Sequence, residues 1–241
     1  MHALPQQPAS QDTRSWYDNY YRRKGVDRND LLTNPETLFQ YLAFEASVLS
    51  ALRRTRGLVR RSSKILDVGC GSGGSLVRFM QLGFSPENLH GIDILEDRVH
   101  EARRTYPNVE FVCEDAAAMP YESGIFDLTM ESTMFVQITD RVLAERIAGE
   151  MLRVTKAGGY LLLIDWRYGK PGNRDYAALS RKRIKHLFSV GRLADVVCQE
   201  QGALVPPVGR AASKYFPAAY FPLRSILPFL VGSRATLLAK R

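Results

Sequence analysis

The chain has 241 residues, 45% of them hydrophobic, enough for the core of one α/β domain with additions. It has no run of roughly twenty apolar residues, so no membrane span is expected, and the polar residues 1–15 lack the apolar stretch of a secretory signal. Three cysteines, Cys70, Cys113 and Cys198, have no C-x-x-C spacing, which argues against zinc, an iron–sulfur cluster or a disulfide framework and for a reducing cytoplasm; no metal is expected. The formal net charge of +8 favours anionic partners, and the basic residues gather in two groups, Arg53 to Arg61 and Arg181 to Arg192.

In chain order, residues 1–14 read as a disordered lead-in and 15–63 as a helical cap. The cap opens on the aromatic run Trp16, Tyr17, Tyr20 and Tyr21. Asn34-Pro35-Glu36 then gives a helix start, with a capping amide, Pro at the first position and an acid in the first turn. From residue 64 strands and helices alternate. Strands are predicted at 64–68, 89–92, 109–113, 126–130 and 160–164, with helices at 75–82, 96–106 and 141–154 and a turn at Lys156-Ala157-Gly158-Gly159. That rhythm builds a parallel, doubly wound sheet. Beyond it the pattern predicts a basic helix over 174–187, a second helix over 191–201 and a rigid loop at Pro206-Pro207-Val208-Gly209-Arg210. An aromatic and proline-rich segment follows over 214–230, whose prolines prevent one long helix, and a last strand lies at 234–240.

Ile65-Leu66-Asp67-Val68-Gly69-Cys70-Gly71-Ser72-Gly73-Gly74 runs from an apolar strand through a glycine turn into a helix. The bare amides of such a helix start can hold a nucleotide close to the backbone. The spacing also satisfies the dinucleotide fingerprint G-x-G-x-x-G. A dinucleotide, however, would set a doubly charged pyrophosphate against Asp67, whereas a ligand with a nucleoside at one end and an ammonium and sulfonium at the other would welcome that carboxylate. S-adenosylmethionine is such a ligand. Further acids, Asp93, Asp115, Glu131 and Asp165, fall in or near the ends of the next four strands, the edge at which open α/β sheets bind ligands.

The segment closely resembles motif I of the class I S-adenosylmethionine-dependent methyltransferases, and residues 64–166 follow that family's order. Met119-Pro120-Tyr121 with Phe126-Asp127-Leu128 resembles its approach to the fourth strand, and Lys156-Ala157-Gly158-Gly159 its approach to the fifth. The resemblance implies a Rossmann-like, seven-stranded, mostly parallel sheet; the chain's own pattern adds a helical cap over 15–63 and a methyltransferase domain over 64–241 with an insertion at 205–232, which is an acceptor lid, a core-packing cover of the sheet or a surface hairpin that touches a membrane. The resemblance also implies S-adenosylmethionine as cofactor. Asp67, Gly69, Cys70, Gly71 and Gly73 would form the donor turn, and Asp93 would hold the ribose hydroxyls. Asp115 and Ala116 would meet the adenine, Ile94 and Met119 would flank it, and Glu131 would lie under the methionine part.

The activated methyl leaves the protein the tasks of alignment and water exclusion, with a general base helpful for a hydroxyl or amine acceptor. Asp165 is the first candidate base, Glu131 the second, His186 the third. Tyr17, Tyr21, Trp166 and Tyr168 are candidate acceptor contacts. The expected reaction is methyl transfer to a small molecule, a natural product or sugar, at oxygen, by a monomer or homodimer. Stable nucleic-acid binding is not expected, since the Asp/Asn-Pro-Pro-Tyr signature is absent; peripheral membrane contact through the 205–232 segment is an alternative use of its apolar residues. Alternatives left open are a methyltransferase of a lipid-linked glycan or of RNA, an NAD-dependent oxidoreductase and a non-catalytic S-adenosylmethionine-binding protein.

Overall fold

Ile65-Leu66-Asp67-Val68 is buried along its whole length, as a strand covered on both faces must be. In the computed structural model, which describes residues 30–169, 172 and 176–241, it is β1, an interior strand of a seven-stranded sheet of order β3-β2-β1-β4-β5-β7-β6. The strands are β1 Ile65–Val68, β2 Leu89–Asp93, β3 Glu110–Cys113, β4 Phe126–Ser132, β5 Thr155–Trp166, β6 Ala194–Gln201 and β7 Ser233–Lys240. β1 to β5 pair in parallel and β7 runs antiparallel between β5 and β6. The strand order reverses between β1 and β4, which opens a crevice above their carboxyl ends.

The helices are α1 Pro35–Arg53, α2 Gly74–Gln81, α3 Glu96–Thr105, α4 Arg141–Val154, α5 Arg181–Leu187, α6 Pro206–Tyr215 and α7 Tyr220–Ile226. One sheet face packs under α4 and α5 through Leu66, Leu161, Leu163, Ile147, Met151 and Ile184. The other packs Ile65, Leu162 and Ile164 against Val48 of α1, Phe79 of α2 and Val99 of α3. α3 carries Glu96 and Asp97 in its first turn and Arg103 and Arg104 in its last, matching the helix dipole at both ends. Asp140 and Ser180 cap α4 and α5 by accepting from the amides of Leu143 and Arg183.

The sheet, the helices at 96–105 and 141–154 and the final strand match the pattern read from sequence. Five details differ. Residues 194–201, expected as helix, form β6, because the open edge of β7 pairs them along their length. Pro206 and Pro207 do not make a rigid loop but sit in the first turn of α6, where a missing N–H costs nothing. The basic helix begins only at its Ser180 cap, and 177–180 are not helical. The turn expected at Lys156–Gly159 is a bulge within β5: Phe126 pairs with Thr155 but Leu128 with Tyr160, and Gly158 takes φ +73° to let the intervening residues loop out. Asn34 begins α1 without a side-chain cap bond.

The 205–232 insertion folds back as α6 and α7 against α1. Tyr220 is wholly buried with Ala43, Leu204 and Ala212, and the Phe39 ring lies 5.7 Å from that of Tyr220. Ser213 Oγ donates to the Pro35 carbonyl at 2.7 Å, and Arg210 pairs with Glu36 at 3.3 Å. The lead-in and the aromatic start of the cap, with Trp16, Tyr17, Tyr20 and Tyr21, lie outside the described residues.

Candidate active site

The glycine turn closes over the end of β1. The amides of Gly69 and Cys70 both donate to the Ile92 carbonyl at 2.8 and 3.1 Å, tying the turn to β2. Gly69, Gly71 and Gly73 all take positive φ, and a Cβ at Gly73 would stand 2.8 Å from the Phe111 ring. Cys70 is buried within the turn as a small packing residue.

Asp67 lies directly beneath. It is 1% exposed, and neither carboxylate oxygen has a hydrogen-bond partner. Burial pushes its carboxyl up to about 7, against the opposing pull of Arg78; Asp93 raises it further. Arg78 is itself paired with Glu45 at 2.9 Å, so it does not serve as a direct partner. A buried acid without donors is costly, and here it stands under a strand-to-helix turn at the ligand-binding edge. Donors brought by a ligand, such as an ammonium or bridging water, would relieve that cost.

Asp93 ends β2. Its Oδ2 accepts from Gly71 N at 2.8 Å and its Oδ1 from Leu95 N at 2.9 Å, so one carboxylate fixes both the glycine turn and the loop into α3. Each oxygen keeps lone-pair capacity for a vicinal diol. Asp115 Oδ1 accepts from Ala117 N at 2.8 Å, which holds residues 115–118 in a tight turn beside Ile94. Ile94 and Ala116 are half-buried, while Met119 is buried in the core under α4. Asp67, Asp93 and Asp115 thus stand at or just past the carboxyl ends of β1, β2 and β3, and the three turn glycines follow β1.

The acids of β4 and β5 have different surroundings. Glu131, fully buried, accepts from Met134 N and Ile164 N, both at 3.0 Å, and holds the chain that leaves β4. Asp165 accepts from Val136 N at 2.8 Å and Trp166 N at 2.7 Å. Burial raises both carboxyls, Asp165 to about 7 and Glu131 well above its usual range, where Asp165 adds repulsion. Asp165 also lines a cavity of about 320 Å³ under α5. His186 does not join them: it is exposed on α5, 2.7 Å from Glu145. Trp166 packs edge-on against Phe44 of α1, with ring centroids 5.6 Å apart. Tyr168 is exposed and donates to the Phe229 carbonyl at 2.9 Å, bridging the sheet edge to the insertion.

Two residues of this region carry little local signal. Thr133 leaves β4 at φ 59°, a left-handed conformation that a β-branched residue adopts only under constraint. Arg183 donates to the carbonyls of Phe135, Ala177 and Ile138 at 2.9, 2.6 and 2.6 Å and is the cation facing Asp165 and Glu131. In sequence Thr133 followed Glu131 in an unremarkable run, and Arg183 was one of several clustered basic residues.

Residues 65–159 match the family model described as a methyltransferase domain. The 2-methyl-6-phytyl-1,4-hydroquinone methyltransferase of Synechocystis is 35% identical over 106 residues, 42% of this chain and 31% of that protein. A ubiquinone/menaquinone biosynthesis C-methyltransferase of Campylobacter jejuni is 27% identical over 139 residues, 54% of this chain and 58% of that one. The chain therefore spans less than two thirds of the length of these curated relatives. Among solved structures, a Pyrococcus horikoshii protein superposes with TM-score 0.64 at 16% identity, covering 92% of this chain and 99% of its own. The geranyl diphosphate C-methyltransferase of Streptomyces coelicolor superposes with TM-score 0.61 at 18% identity, covering 99% of both.

Proposed function

We propose that this chain, which belongs to the class I S-adenosylmethionine-dependent methyltransferases through residues 65–159, transfers a methyl group to a small hydroxylated aromatic acceptor. The observation that carries the donor half is Asp67, a buried carboxylate with no partner under the glycine turn. In this reading Asp67 receives the ammonium end of the donor, directly or through water, while Asp93 takes the ribose hydroxyls and the Asp115–Ala116 turn meets the adenine. When bound, S-adenosylmethionine supplies an already activated methyl. A pyrophosphate in the same place would be repelled by Asp67 and Asp93.

For the acceptor half, Asp165 is the residue assigned to take a proton. Its carboxyl, pushed up to about 7, is basic enough to act near neutral pH, and it lines a cavity at the same sheet edge. Glu131 is assigned to hold the Thr133–Met134 turn through its backbone bonds, and Arg183 to position the two carboxyls. Exposed Phe229 beside Tyr168 offers a lipophilic acceptor an apolar rim. Transfer to the acceptor oxygen is the first reading. Transfer to the ring carbon is the second, favoured by curated relatives named for hydroquinone and quinone C-methylation.

Thermal unfolding with S-adenosylmethionine, its demethylated product, NAD and NADP tests the donor half. A ligand that binds only the folded state adds about 2.7 kcal/mol at a hundredfold excess over its Kd. Stabilisation by the sulfur nucleosides alone is expected; stabilisation by NAD alone would overturn the reading. Isotope-labelled methyl donor with hydroquinones and phenols, read by NMR, then separates methoxy from ring-methyl products.

A further inference from the structure

The cavity of about 320 Å³ under α5 is lined by Arg167, Arg181, Lys182 and Arg234, with Gln199 and one acid, Asp165. Among the described residues none of these four cations pairs with a carboxylate. Arg181 Nε and Arg234 Nη1 both donate to the single Gln199 Oε1, at 2.6 and 3.2 Å. Arg167 spends its donors on the carbonyls of Val231, Pro228 and Phe229 and on Tyr168. Among the described residues Arg234 Nε is buried with no hydrogen-bond partner. Burial, with the nearby charges of Arg167 and Arg181 adding to it, holds the Arg234 guanidinium below its usual range. Like charges gathered without counter-charge around a cavity cost the fold energy that an anion would return. The one acid of the lining, Asp165, accepts from the amides of Val136 and Trp166, and its single charge is outnumbered by the four cations.

We propose that this cavity is an oxyanion site for a phosphate or diphosphate group, held by Arg234, Arg181 and Lys182. Guanidinium groups with free N–H donors match phosphate oxygens, and Lys182 adds a mobile charge on the exposed side. Asp165 lines the same cavity, so the group is carried by the methyl acceptor or bound as a free anion beside it. The first alternative rests on the methyl-transfer reading; the site itself does not.

The test is isothermal titration of the full chain with sodium diphosphate, with inorganic phosphate and with phenyl phosphate, at ionic strength held constant with sodium chloride. Saturable 1:1 binding of at least one probe is expected, weakened tenfold or more in Arg234→Gln and Arg181→Gln and severalfold in Lys182→Gln. Arg181 and Lys182 are exposed on the first turn of α5, so their variants report on the site even if Arg234→Gln fails to fold. Phenyl phosphate binding more tightly than phosphate assigns the anion to an organic acceptor; equal affinities assign a free anion. No binding beyond the chloride control, or variants that bind as wild type does, would overturn the proposal. S-adenosylmethionine affinity in the same variants is expected unchanged. Its absence in wild type with diphosphate binding intact would sink the donor reading alone.

Discussion

Replacing Asp67 by Asn should stabilise the ligand-free protein while disabling it. The acid is 1% exposed and unpartnered, and its folded-state value of about 7 lies above the ordinary 3.8. That difference corresponds to about 4 kcal/mol between the protonation states. Because the folded value is raised, the folded chain binds this proton more tightly than the unfolded chain does. The stability so gained is fully present below about pH 4 and is lost as the pH rises to about 7. The amide is a near-isostere of the neutral acid, so Asp67→Asn should match wild type near pH 4 and exceed it by up to about 4 kcal/mol near pH 8, on the order of 10 °C in Tm for a chain of this size. Denaturant unfolding across that range measures the gap, and melting with S-adenosylmethionine measures the loss of donor binding. A gap that does not grow with pH, or a variant that binds the donor as wild type does, would refute the reasoning.

Asp93→Ala should weaken donor binding about thirtyfold or more, since a charged bidentate contact contributes roughly 2–3 kcal/mol, and should cost stability only through the released Gly71 and Leu95 amides; calorimetric titration and a melt separate the two effects. Thr133→Gly should relieve about 1 kcal/mol of left-handed strain and raise Tm, yet slow turnover by loosening the chain between Glu131 and Val136; a Tm below wild type would show the strain argument wrong. Arg183→Met should destabilise by about 3 kcal/mol, as three carbonyls lose a charged donor. It should also move the acid limb of the pH–rate profile upward, because Asp165 and Glu131 lose the cation that lowers their proton affinity.

What the sequence made legible follows how local each signal is. β1, the glycine turn and the acids at the strand ends were readable because an all-buried parallel strand is a continuous apolar run and a tight turn needs glycine at fixed places. β6 was misread because it is an edge strand, with Asp195, Val196 and Val197 all exposed, so no alternation marks it and only pairing with β7 makes it a strand. Pro206-Pro207 suggested a loop because proline stops helices more often than it starts them. Donor-side acids could be named from sequence, but their divergent environments could not. Asp67 is bare and Glu131 saturated by backbone amides, although both end strands at the same edge.

The net charge of +8 invited a nucleic-acid reading, and most of the two basic groups, Arg53 to Arg61 and Arg181 to Arg192, is exposed. A polyanion is gripped by exposed cations along a surface, whereas the proposed anion site is built around Arg234, which is half-buried with its Nε sealed from solvent. The pocket of about 320 Å³ beside it has room for a phosphate or diphosphate group. Single-stranded RNA gripped by the exposed groups should bind with affinity falling steeply as salt rises, and should not displace diphosphate. Competition of a labelled oligonucleotide against diphosphate at two ionic strengths checks this. Mutual displacement, lost together in Arg234→Gln, would mean that the arginines form part of an open groove, and the confined-anion argument would fail.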